Sequence, residues 1–342
     1  MSSVVEIRSF PSELSLTDAK QCESEALNIL GELKPTWDRD SVKFEYFSVG
    51  ITNKIFSASF DNEHVIFRVF GKNTNKVIDR ENELNAWALL AQYGFAAELY
   101  GKFENGLVCG FLEGKTFDIE QMRNTGFHSM IASKIAQLHT KVPTEAKPML
   151  FAKMRLFERQ FTKKFDDPVK QAYYSKHFPV SFEEDVKELE LKINKLKEPV
   201  AFCHNDLLVH NIVYNKEKAS VNFIDYEYAF PNYALYDLAN HFCEYAGVEG
   251  TPDYTKCLDK NQKWLFLNDY LRFCHPQVCE RRLEVMFKHI PLFESASHLF
   301  WTLWALVQAQ NSTIDFDYLS YASARYEQFQ KRFSKWMTHC KN

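Results

Sequence analysis

The sequence predicts an α+β chain with two lobes: a small N-terminal antiparallel β lobe and a large, mainly helical C-terminal lobe. Three observations carry this. From Val42 to Phe70 the texture is β-rich and alternating. After Glu113-Gly114 the spacing of apolar residues is helical almost to the end, interrupted by one hairpin-like pair, NIVYN and SVNFI. And 342 residues, 46% of them apolar, are enough to bury more than one sizeable core.

The elements follow in order. SLTDAKQCESEALNILGEL (15–33) carries Leu16, Ala19, Cys22, Ala26, Leu27, Leu30 and Leu33 at helical spacing, with Ser15 or Thr17 as the expected N-cap. Residues 1–40 therefore read as a helical N-terminal extension. KFEYFSV, KIFSASF and HVIFRVF read as three strands, separated by the turn-like Gly50-Ile51-Thr52-Asn53 and Asp61-Asn62-Glu63. A charged helix is expected at about 75–93 and two short strands near 98–103 and 107–112. The N-lobe is thus 41–112 and the C-lobe 113–342.

Composition narrows the function. A net charge of −4 and a pI near 6.3 leave no electrostatic footprint for nucleic acid. The most apolar run, LFWTLWALV (299–307), is far too short to span a bilayer. The eight cysteines show neither CxxC nor zinc-ligand spacing, and MSSVVEIRSF has no signal-peptide pattern. A reduced, cytoplasmic protein is the expectation.

FCHNDLLVHNIVYNKEKASVNFIDYEY (202–228) places His204, Asn205, Asp206, Asn211 and Asp225 among β-forming apolar residues. Polar groups so costly to bury are gathered where a charge must be managed. Asp206 and Asn211 are separated by four residues, and Asp225 ends the next strand. This is the spacing of H-x-D-x-x-x-x-N followed by a strand-end Asp, which phosphotransferases use. Phosphoryl transfer needs little covalent help. It needs a positioned acceptor oxygen, for which one carboxylate is the base. It also needs hard oxygen ligands for Mg²⁺, which a carboxamide and a second carboxylate supply.

HNDLLVHNIVYN, FIDYEYAFPNYALYDLANHFCEYAG, GITNKIF, ASHLFWTLWALVQA and STIDFDYLSYASAR together resemble the choline/ethanolamine kinase family, over about Phe44 to Arg325. The resemblance implies a protein-kinase-like fold, the cofactors ATP and Mg²⁺, and a small amino alcohol as substrate. Choline kinases typically carry Gln two residues after the catalytic Asp and Gly before the Asn. Leu208 and His210 stand there in this chain, so the likeness leans to ethanolamine. Choline remains an alternative, as does another kinase-like small-molecule phosphotransferase. Homodimers occur in the family, and the sequence does not report the oligomeric state.

By the same resemblance Asp206 is the base, Asn211 and Asp225 hold Mg²⁺, Glu227 reaches a second metal through water, and His204 braces the loop. Gly50, Thr52 and Asn53 would bring amides and short polar groups to the nucleotide phosphates. From composition alone that stretch is equally a hairpin turn, because it lacks G-x-G-x-x-G and the Walker pattern. Arg68 breaks the apolar face of VIFRVFG and, by the family alignment, pairs with Glu83; a surface Arg and a solvated Glu would also fit. Trp301 and Trp304 share a helix face with Gln308, as core residues often do. The resemblance makes Trp301, Trp304 and Tyr321 walls for an organic cation and Glu244 its nearby carboxylate. Tyr228 and Asp237 are site-adjacent, with Asp237 bracing the loop.

Overall fold

The structure is a computed structural model that describes residues 7–47, 53–71, 80–145, 147–247, 252–275, 277, 279–312 and 314–339. The chain divides into two compact units, Met1–Gly114 and Lys115–Asn342.

The first unit is built on six strands: β1 (Ser9–Phe10), β2 (Lys43–Phe47), β3 (Asn53–Phe60), β4 (Glu63–Phe70), β5 (Leu99–Phe103) and β6 (Gly106–Gly110). They lie in the order β1-β5-β6-β4-β3-β2, antiparallel throughout except for β1 against β5. β3 and β4 join through the two-residue turn Asp61-Asn62, with Asp61 at φ +52°. Helix α1 (Ala19–Leu33) covers one face. Its Cys22, Ala26, Ile29 and Leu30 pack into one core with Phe56, Val65, Phe67, Val69 and Val108. The alternation of Val65, Phe67 and Val69 is what points those three residues inward. Helix α2 (Arg80–Gln92) starts later than the expected 75, and residues 72–79 lie outside the described residues.

Two expectations are corrected in this unit. The N-cap of α1 is Asp18, whose side chain accepts from the Gln21 amide. Ser15 instead accepts from the Asp18 amide, one step before the cap. Both Asp and Ser cap well, and the first apolar residue to face the core decides which of them stands at the boundary. Nor is the 1–40 stretch only a helical extension: it also contributes β1 to the sheet, and Phe10 and Leu14 to the core.

The second unit holds α3 (Ile119–Arg123), α4 (His128–Lys141), α5 (Leu150–Gln160), α6 (Pro168–His177), α7 (Glu183–Leu196), α8 (Ala234–Glu244), α9 (Lys260–Cys274), α10 (Glu280–Asn311) and α11 (Tyr318–His339). The expected hairpin is present as β9 (Ile212–Asn215) and β10 (Ser220–Phe223), with β7 (Lys115–Thr116) added beside β9. A second pair, β8 (Val200–Cys203) with β11 (Phe230–Tyr233), was not expected. α10 explains the apolar run of 299–307. From Leu292 to Leu303 every residue is buried, because neighbouring helices surround it, and such a helix is apolar on all sides. No helix among the described residues is long and apolar enough to cross a membrane.

Candidate active site

The two strand pairs of the second unit position the polar cluster. β8 leads into the segment 204–211, which β9 ends, while β10 leads into 224–229, which β11 ends. Each of these connections contains a non-glycine residue at positive φ: Asn205 at +65° and Asp225 at +66°. Backbone held there costs energy and persists only where surrounding bonds over-determine it.

For Asn205 those bonds are explicit. Its amide NH donates to Asp237 Oδ1 at 2.7 Å, and its side-chain nitrogen donates to the carbonyls of Tyr228 (3.0 Å) and Phe230 (3.2 Å). Its side-chain oxygen accepts from Asn232 at 2.8 Å, and its carbonyl accepts from Asn240 at 3.0 Å. Asp237 also accepts from the His204 amide at 2.9 Å, so one carboxylate holds two successive amides of the loop. Burial works against that charge. The bonds from His139 and His204 outweigh it and hold the Asp237 carboxyl below its usual value.

His204 ties the loop to the strand end that carries Asp225. Its Nε2 donates to the Ile224 carbonyl at 2.9 Å and its Nδ1 accepts from the Asp206 amide at 3.3 Å. The neutral imidazole with its proton on Nε2 makes both bonds, and burial lowers the pKa toward that form. Asn211 donates through Nδ2 to the Asp206 carbonyl (2.8 Å) and to Asp206 Oδ2 (3.2 Å). A cation at Asn211 would therefore meet its amide oxygen.

Asp206 is 7% exposed. Burial raises its pKa well above the carboxylate range. The charges of Glu244, Asp225 and Glu227 push it the same way, and Arg325 opposes them. Asp225 and Glu227 each offer a carboxylate oxygen within 4.8 Å of the other's. Carboxylates this crowded, all presenting oxygen beside an Asn amide, make a donor set that fits a hard divalent cation such as Mg²⁺.

Next to this acidic group is an aromatic corner. Trp301 and Trp304 stand nearly perpendicular, 5.3 Å between centroids, and Tyr228 meets Trp301 edge-on at 5.3 Å. The corner is fixed by hydrogen bonds: Trp301 donates to Asn240 Oδ1 at 2.8 Å and Trp304 to the Tyr228 hydroxyl at 2.6 Å.

Tyr321 and Glu244 have a different setting from the one expected. Arg325, buried on α11, donates to Glu244 Oε1 at 2.6 Å and to the Tyr321 hydroxyl at 3.0 Å, with its guanidinium 5.2 Å from the centre of the Tyr321 ring. The cation beside Tyr321 is therefore the protein's own, and the charge of Glu244 is already offset. Arg325, Asn240 and His139 were not singled out from sequence. Asn240 had a signal, since Asp237, Asn240 and Glu244 recur at i, i+3 and i+7 along an otherwise apolar helix.

In the first unit, Arg68 Nη1 meets Glu83 Oε1 at 2.9 Å and Arg80 meets Glu83 Oε2 at 2.6 Å, with Glu83 fully buried. The pairing of Arg68 with Glu83 is thus present, with Arg80 as a second partner. Gly50, Thr52 and the side chain of Asn53 lie outside the described residues; the backbone of Asn53 opens β3.

Comparison with known proteins gives one consistent result. The family profile described as choline/ethanolamine kinase matches residues 44–330. The chain is 36% identical to a probable ethanolamine kinase of Nematostella vectensis, over 91% of this chain and 93% of that one. It is 35% identical to ethanolamine kinase 1 of Homo sapiens, over 91% of this chain and 72% of that one. Among solved structures, an ethanolamine kinase from Plasmodium vivax superposes with a TM-score of 0.77 at 24% identity, covering 92% of this chain and 89% of that one. That likeness supports the α+β, protein-kinase-like fold.

Proposed function

The chain belongs to the choline/ethanolamine kinase family, and on that premise we propose that it transfers the γ-phosphoryl group of ATP to the hydroxyl of ethanolamine, giving phosphoethanolamine and ADP. The observation that carries the reading is the placement of Asp206: bonded to Asn211, crowded by Asp225 and Glu227, and close to the Tyr228–Trp301–Trp304 corner.

Asp206 accepts the hydroxyl proton as the substrate oxygen forms its bond to the γ-phosphorus. The bond from that phosphorus to the β–γ bridging oxygen breaks, and ADP takes the electron pair. The bond from Asn211 to Oδ2 holds the carboxylate in one orientation and leaves Oδ1 to the substrate. Asn211, Asp225 and Glu227 would hold Mg²⁺, which offsets charge on the phosphates. Positive charge near Asp206 also favours its ionised form, which a base requires. Arg68, with its rigid fork, is assigned to phosphate oxygens, as are Gly50, Thr52 and Asn53. The aromatic corner receives the ammonium by cation–π attraction, and the oxygen of Glu244 not engaged by Arg325 adds negative charge. Cysteines that are all free among the described residues suit the cytoplasm.

A coupled ADP-release assay with ethanolamine and choline at equal concentrations tests the reading. We expect the higher kcat/KM with ethanolamine. A clearly higher value with choline would make the chain a choline kinase, and no ADP release with either amine would overturn the assignment.

A further inference from the structure

The buried residues behind the catalytic loop form a chain of hydrogen bonds with no part in the chemistry above. Tyr270 on α9 bonds through its hydroxyl to Nδ1 of His139 on α4 at 2.9 Å. His139 Nε2 donates to Asp237 Oδ2 at 2.9 Å, and Asp237 in turn holds the amides of His204 and Asn205. The next residue is Asp206. The side chains of His139 and Asp237 are 2% and 0% exposed. We propose that His139 and Tyr270 are positioning residues for Asp206: they orient the Asp237 carboxylate, and that carboxylate sets the backbone from which the base projects.

The geometry favours orientation over simple packing. Asp237 Oδ2 has two donors, His139 Nε2 and the His204 amide, while Oδ1 has the Asn205 amide. Such a carboxylate can rotate about its terminal torsion, which is broad and roughly two-fold. A donor from outside the loop removes that freedom. Close packing does not fix the outer end of the chain, because His139 and Tyr270 line a cavity of about 160 Å³ together with Val200, Ala201, Leu235 and Cys274. With open space on that side, the bond from Tyr270 sets the angle of the imidazole. Cys203, whose sulfur lies within 4.8 Å of the same His and Asp atoms, donates to the carbonyls of Ala201 (3.5 Å) and Asn232 (3.6 Å) and is not part of the chain.

The inference rests on Asp206 being the base, and the experiment separates the two claims. His139→Ala, His139→Gln, Tyr270→Phe and Asp206→Asn are assayed at a temperature where each is folded, with kcat and both KM values measured. Hydrogen exchange is followed for the amides of His204 and Asn205. A misplacement near 1 Å costs about a hundredfold in rate. We therefore expect kcat to fall roughly 30- to 100-fold in His139→Ala and about 3- to 10-fold in Tyr270→Phe. KM for amine and ATP should stay within about twofold, with faster exchange confined to the two loop amides. His139→Gln keeps one N–H toward Asp237 and should fall between wild type and His139→Ala. If His139→Ala fails to fold, the ordering of the other two against wild type still decides. A kcat within twofold of wild type in Tyr270→Phe and His139→Gln overturns the proposal, as does faster exchange spread over the whole unit. Turnover by Asp206→Asn comparable to wild type would instead remove the base assignment itself.

Discussion

Each unit buries carboxylates, and the two resolve them in opposite ways. In the first unit Glu83 lies between Arg68 and Arg80, so positive charge exceeds negative. In the second, Asp206, Asp225, Glu227 and Glu244 act together electrostatically, with Arg325 as the one cation named against them at Asp206. A buried acid between two arginines is satisfied and leaves guanidinium capacity for an anion. Crowded carboxylates with one guanidinium are unsatisfied and call for cations. Nucleotide phosphates suit the first arrangement. A divalent metal and an ammonium suit the second.

The largest effect should come from the acid side. Asp206→Asn keeps the shape and removes the base, so kcat should drop by about three orders of magnitude, with no loss of thermal stability. Activity within tenfold of wild type would break the contrast drawn above. On the other side, Arg68→Ala leaves Glu83 with Arg80 alone. KM for ATP should rise by about tenfold or more while KM for the amine changes little, and equal changes in both would deny Arg68 its link to the nucleotide.

The aromatic corner gives a smaller, more selective effect. Trp304→Ala removes one wall and the donor to Tyr228. KM for the amine should rise several-fold more than KM for ATP, and equal effects would mean the ring is only core. Arg325→Met tests whether Glu244 is held by its own cation. It leaves a buried carboxylate unpaired and should destabilise by about 3 kcal/mol, most of which Glu244→Gln in the same chain should restore. Denaturant unfolding of the single and double variants measures this.

Residues that act through nearby sequence were legible. Asp206, Asn211 and Asp225 lie within one loop–strand–strand unit, so their spacing and flanking strands announce them. Arg68 was visible because a charge interrupts an apolar alternation. Residues that act through distant partners were not. Arg325 reaches Glu244 across 81 positions and His139 reaches Asp237 across 98. A single Arg or His on an amphipathic helix carries no mark of the buried acid it will meet. This is why Glu244 read as an unpaired carboxylate for the amine. β11 was missed for a local reason: FPNY is four residues long and contains Pro and Asn, which disfavour strands. It pairs all the same because β8 supplies its register.

The smallest effect is the most direct measure of the crowding. Burial and the acids Glu244, Asp225 and Glu227 raise the pKa of Asp206 in the folded protein above its unfolded value. Folding then binds the proton more tightly, so this group's contribution to stability is fully present below the unfolded value and lost as pH rises through the folded one. Asn at 206 cannot titrate. In enzyme stripped of divalent cations, the Tm of Asp206→Asn should therefore match wild type near pH 4 and exceed it increasingly toward pH 8. About 1 kcal/mol would appear as a gap of some 2 to 4 °C in a unit of this size. Adding Mg²⁺ at pH 8 should close the gap, since a cation bound among the carboxylates stabilises wild type more than the variant. Scanning calorimetry across pH, with and without Mg²⁺, makes the measurement. A gap independent of pH would mean that Asp206 ionises as an ordinary carboxylate, and the acid side of the comparison would need no cation to explain it.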